Sequence, residues 1–169
     1  MSKATQPIPA GFHTVTPHLV MKNTAETIEF YKKAFGAVEL RRLNTPDGKI
    51  MHACIEIGNS RIMMADEFDM CGMKSAASLG AAHTTLHLFV ENVDAVFKRA
   101  VDAGATVMLE PQEMFWGDRY GVVVDPFGQP WSMATHVEDL SHEETMKRFA
   151  EMPCTPPDAE KQKAAAGAK

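Results

Sequence analysis

A chain of 169 residues, 45% of them hydrophobic, can bury a core as one compact unit or as two small modules that share one. Its formal net charge of −5 at pH 7 speaks against the basic face that general nucleic-acid binding needs, and no basic amphipathic stretch suits an anionic membrane surface. No apolar run reaches transmembrane length, the opening MSKATQPIPAGF lacks a secretory core, and Cys54, Cys71 and Cys154 form no CxxC pair, so a reduced, cytoplasmic protein is expected.

Residues 1–12 read as an N-terminal arm, and 13–20 alternate with β-formers among them, which predicts a strand. Asn23 then caps a helix, with Glu26 as its capping-box partner; Ile28, Tyr31 and Phe35 fall on one helical face, and Gly36 supplies the stop. Strands are predicted at about 37–44, 49–57 and 60–66, with turns at Pro46-Asp47-Gly48 and Gly58-Asn59. Residues 68–82, rich in Gly, Ala and Ser, read as a mobile linker. The pattern then begins again. Val93, Val96, Phe97, Ala100 and Val101 make a helical apolar stripe closed by Gly104. Strands at about 105–110, 119–125 and 129–136 follow it, with a turn over 125–128. Ser141-x-x-Glu144 signals a short helix within 138–152, running to about Phe149, and 153–169 reads as a disordered tail.

The recurrence extends to single residues. Thr16, His18 and Leu19 return as Thr85, His87 and Leu88 at an offset of 69, as do Asn23 in Asn92 and Met64-Ala65 in Met133-Ala134. Gly36-Ala37 returns as Gly104-Ala105 at an offset of 68. Matches in order at nearly constant spacing mark two structural copies, residues 13–67 and 83–137. The predicted fold is therefore α+β: two tandem βαβββ modules whose helices cover one face of each sheet, leaving the other to curve into a cup.

FHTVTPHLV, IEFYKKAFGA and DGKIMHACIEIGNSRIMMADE resemble the first module of the PhnB-like branch of the glyoxalase/bleomycin-resistance group, of the vicinal oxygen chelate type. LHLFVENVDAVFKRAVDAGATV and MFWGDRYGVVVDPFGQPWSMATHVEDL resemble the second. The resemblance covers about residues 10–145 and is most specific at 115–121 and 125–128. It implies curved mixed sheets around a cup and a homodimer. It does not imply one activity, because the group includes glyoxalases, dioxygenases, epimerases, antibiotic-inactivating transferases and drug-sequestering proteins. Relatives in this branch carry a ubiquinone methyltransferase label, which no glycine-rich cofactor loop here supports.

The metal enzymes of the group take His, Gln or Glu ligands from the first and last strand of each module, positions that fall here on Thr16, Met63, Thr85 and Ser132. These are poor ligands for a hard divalent cation, so no metal or cofactor is expected there. A shifted divalent-metal site remains as an alternative. His18 and His87 share a strand face with Thr16 and Thr85, His136 shares one with Ser132, and His52 alternates with Cys54 and Glu56. The same residues serve equally as hydrogen-bonding groups lining the cup, or as metal-free general bases. Trp116 and Tyr120 are candidates for stacking on a planar ligand and Arg119 for holding a carboxylate or phosphate; otherwise Asp118 pairs with Arg119 or a backbone amide in a structural turn. Asp66-Glu67 reads as a charged strand end, Cys54 as an inert buried thiol, and Trp131 as packed under a helix.

The function expected is small-molecule binding or sequestration in a cup lined by His18, His52, Glu56, His87, Trp116, Arg119, Tyr120 and His136, with no nucleic-acid or membrane partner. The alternatives are a metal-dependent lyase, isomerase or dioxygenase at His18/His87, or a metal-free acid/base enzyme.

Overall fold

A computed structural model describes residues 6–69 and 72–152. Its elements run β1 (His18–Met21), α1 (Thr24–Phe35), β2 (Val38–Asn44), β3 (Ile50–Ile57), β4 (Ser60–Asp66), α2 (Ala76–Leu79), β5 (Leu86–Phe89), α3 (Val93–Asp102), β6 (Thr106–Glu113), β7 (Asp118–Val124), β8 (Pro130–His136) and α4 (His142–Glu151). They form two four-stranded sheets, ordered β1-β4-β3-β2 and β5-β8-β7-β6, which do not close into a barrel. In each, the first strand runs parallel to the last and the other pairings are antiparallel, the βαβββ connection twice over.

Local chemistry places the elements. The Asn23 side chain accepts from the Glu26 amide at 3.3 Å, and Gly36 leaves α1 in the left-handed region at φ 70°. Asn92 repeats the cap on Ala95 at 3.0 Å, although α3 ends at Asp102, two residues before Gly104. A second device ties each helix to its sheet. The Asp66 carboxylate accepts from the Thr24 amide at 2.8 Å, and the Thr135 hydroxyl, 69 residues on, accepts from Val93 at 2.8 Å. The first strand is shorter than predicted: Thr16 donates to the His13 carbonyl in a turn, Pro17 has no amide to give a ladder, and pairing begins at His18. The expected linker carries the single helical turn α2, capped by Ser75, whose own amide donates to Glu67 at 2.5 Å. Ser141 caps α4 through the Glu144 amide at 3.2 Å, and the helix continues to Glu151. The tail at 153–169, with Cys154, lies outside the described residues, as does Cys71.

One core joins the modules. The faces of the sheets that carry α1 and α3 bury Leu19, Ile55, Ile62 and Met64 from the first and Val123, Trp131 and Met133 from the second, in a single cluster with Phe35 and Phe97. The Trp131 ring, fully buried, lies 5.1 Å from Tyr31 and 4.6 Å from Phe35 of α1. Each module thus covers part of the other's helix-side face, and the opposite face of each sheet is left outside this core.

Candidate functional site

Strand register sorts every side chain to one of two faces, because directly paired residues point the same way and neighbours alternate. In the first sheet His18 pairs with Met63, Met63 with Cys54, Cys54 with Arg41, His52 with Leu43, and Glu56 with both Arg61 and Val38. All stand on the face away from α1. In the second, His87 pairs with Ser132, Ser132 with Val122, Phe89 and Tyr120 with Ala134, and Asp118 with His136, on the face away from α3. Seven of the eight predicted site residues follow this rule or adjoin it. The exception is Arg119, whose partner Thr135 faces the helix; its guanidinium makes two bonds to Asp94 at the start of α3, at 2.8 and 2.6 Å. Arg119 therefore stands on the helix side of the sheet, paired with Asp94 and not with Asp118.

On the first open face the His18 and His52 rings lie 6.2 Å apart, and Arg41 approaches His52 Nε2 at 3.3 Å. Partial burial and then the Arg41 and His18 charges hold the His52 pKa below its ordinary value, so this imidazole is neutral near pH 7. Glu56 is engaged by Arg61 at 3.1 Å. The Cys54 thiol is buried, which raises its pKa and leaves it unreactive. Residues of the N-terminal arm lie against this face: the Ala10 carbonyl accepts from Arg61, and the Phe12 ring sits 5.0 Å from the Arg61 guanidinium.

The second open face carries a run of aromatic rings. Phe89 is 4.5 Å from His87, His87 is stacked with Tyr120 at 6.0 Å, Tyr120 meets Trp116 at 5.6 Å, Trp116 meets Phe115 at 4.9 Å, and Phe115 meets Phe149 of α4 at 5.3 Å. The run is fixed from behind. Ser132 Oγ lies 2.8 Å from His87 Nδ1, and Asp118 binds Trp116 Nε1 at 2.9 Å and His136 Nδ1 at 2.7 Å. Gly117 makes the turn at φ 94°, where a Cβ would stand 2.3 Å from the Glu138 carbonyl oxygen. Burial holds the His87 pKa below its ordinary value. Phe89 is 70% exposed, at the open end of this run.

The two open faces do not converge on a metal. The neighbours available to His18 on the last strand and to His87 on the last strand are a thioether and a buried hydroxyl, and His52 is covered by a guanidinium. Among the described residues no three His, Cys, Asp or Glu side chains are grouped to hold an ion. The donor set of a single chain does not fit the metal of the group's enzymes. The cleft between the modules, roughly 590 Å³, lies beside Phe35, Ile57, Leu86, Val96 and Trp131, and of the predicted site residues only His87 reaches it. Sequence reasoning missed Arg41 and Phe89. Phe89 was in plain view, two residues from His87 on the same strand face, while Arg41 was obscured by the bulge between Glu39 and Arg41.

Residues 11–133 match the family model described as Glyoxalase/Bleomycin resistance protein/Dioxygenase superfamily. An uncharacterized protein of Mycobacterium bovis is 48% identical over 133 residues, covering 77% of this chain and 88% of that one. One of Arabidopsis thaliana is 31% identical over 121 residues, covering 67% and 72%. Among solved structures, TioX from Micromonospora sp. ML1 superposes with a TM-score of 0.59 at 24% identity, over 74% of this chain and 99% of that one, a likeness of fold. No helix among the described residues is long and apolar enough to cross a membrane.

Proposed function

The chain belongs to the glyoxalase/bleomycin resistance protein/dioxygenase superfamily, and on that premise we propose that it binds a flat, largely apolar small molecule on the open face of its second sheet, in a cup completed by a second copy of the chain. The observation that carries this reading is the ring series of exposed Phe89 and His87 and half-buried Tyr120 and Trp116, positioned by Ser132 and Asp118. Aromatic surface that is positioned yet left open favours a planar partner. A second copy supplies the missing wall, because both open faces of one chain lie outside its core. The reading places the protein in the cytoplasm, in keeping with a buried free Cys54.

The test uses N-phenyl-1-naphthylamine, a neutral probe with a flat naphthalene ring whose emission rises on transfer to an apolar site. Saturable binding is expected, weakened about tenfold or more by Tyr120→Ala, roughly the loss of one stacked contact. Binding that Tyr120→Ala and His87→Ala leave unchanged would overturn the reading.

One observation favours a second reading, acid/base catalysis without a metal: His87 Nδ1 is fixed by Ser132 while Nε2 has no partner among the described residues, and the ring is neutral near pH 7. It requires turnover that His87→Gln abolishes while the naphthylamine still binds.

A further inference from the structure

The first open face carries a pocket that the aromatic reading does not use. Pro7, Ile8, Pro9 and Phe12 of the arm, with His13, Thr14 and Thr16, line an open pocket of about 470 Å³ against Arg41 and Met63 of the sheet. A smaller hollow of about 230 Å³ adjoins it, lined by Phe12, Leu40, Arg41, Cys54 and Arg61, so Arg41 and Phe12 border both. The arm is held there by the Arg61 bond to the Ala10 carbonyl and the contact of Phe12 with Arg61.

The charges around this pocket do not balance. Arg61 has Glu56 as its partner at 3.1 Å. Arg41 forms no ion pair with a carboxylate among the described residues, and its hydrogen-bond partner is the neutral ring of His52. His13 lines the pocket, and His18 and His52 stand beside it. A guanidinium without a carboxylate partner beside an apolar hollow leaves planar donors free for an anion with an apolar body.

We propose that the pocket between the N-terminal arm and the first sheet binds small organic acids, with Arg41 holding the carboxylate and Ile8, Phe12 and Met63 receiving the hydrocarbon part. The site stands on a different sheet from the aromatic series and goes beyond the function proposed above.

The test is calorimetric titration of the full chain with octanoate and phenylacetate, each beside its neutral amide. At least one acid is expected to bind, its amide at least tenfold more weakly. Arg41→Gln should weaken the acid at least tenfold, Arg41→Lys less, and Phe12→Ala should weaken acid and amide alike. Arg41 is exposed, so its replacement leaves the core intact. No binding of either acid, equal affinity for acid and amide, or an affinity that Arg41→Gln does not change would each overturn the proposal. Naphthylamine binding, read on the same Arg41→Gln protein, is expected to be unaffected, so failure of this site and failure of the aromatic site are told apart.

Discussion

Tyr31 and Asp125 stand 94 residues apart in the chain and meet in one buried hydrogen bond of 2.8 Å. Asp125 also accepts from the amides of Phe127 and Gln129, both at 2.9 Å, and from Trp131 Nε1 at 3.3 Å. Burial raises the Asp125 pKa against the pull of these donors, and burial followed by the Asp125 charge raises that of Tyr31. The phenol is thus kept as a donor, and one carboxylate orients the β7–β8 turn and pins α1 to it. Removing only the hydroxyl, in Tyr31→Phe, takes away a bond to a charged acceptor and is expected to cost about 1.5–3 kcal/mol of stability, read from urea unfolding. A change under about 0.5 kcal/mol would show that the modules are joined by apolar packing alone. Both residues are visible in the sequence, Tyr31 on an apolar helical stripe and Asp125 in a turn, but nothing in either pattern says that they touch. The same limit applies to Arg119, whose partner Asp94 lies 25 positions away on another element.

Among the elements, α4 and the strand ends beside it are held by charge. His136, at the end of β8, takes Asp118 on Nδ1 at 2.7 Å and Asp139 on Nε2 at 3.0 Å, while Arg148 of α4 grips Glu138 at 2.7 and 2.9 Å. The Asp118 bond first, and then the Asp139 bond, raise the His136 pKa above its ordinary value of 6.5. A raised value in the folded state means that the stabilisation is complete below the unfolded value near 6.5 and fades as pH rises through the folded one. The difference in melting temperature between the protein and His136→Gln should therefore be larger at pH 5.5 than at pH 9. A difference that is flat or grows with pH would remove His136 as the linking group. Elements of this kind were legible where local chemistry decides them. Asn23, Asn92 and Ser141 cap the helices that follow them, and the hairpin positions stand within a residue or two of their expected places. Alternation over 13–20 predicts a longer first strand than the His18–Met21 that forms, because Pro17 has no amide to give a ladder.

For the molecule as a whole, the repeat foretold two βαβββ units but not which of their faces would meet. Residue types fix that a sheet has an apolar and a mixed face; only the joint packing of α1, α3 and Trp131 determines that the helix-side faces share the core. The open faces then carry Phe89 at 70% exposure, Leu43 at 59% and Val38 at 58%, with β1 and β5 as sheet edges that have one paired side each. Apolar residues beside free strand edges are costly to leave in water. The second copy proposed as the missing wall would relieve this at Phe89 and supply the cup that one chain lacks. Sedimentation equilibrium should accordingly give the mass of two chains. Phe89→Asp, which puts a charge at the centre of the proposed contact, should shift the protein toward one chain with its circular dichroism unchanged, and should weaken naphthylamine binding in the same samples. A single-chain mass for the unaltered protein, with probe binding intact, would mean that the aromatic face binds without a partner and that the wall comes from the ligand's own fit.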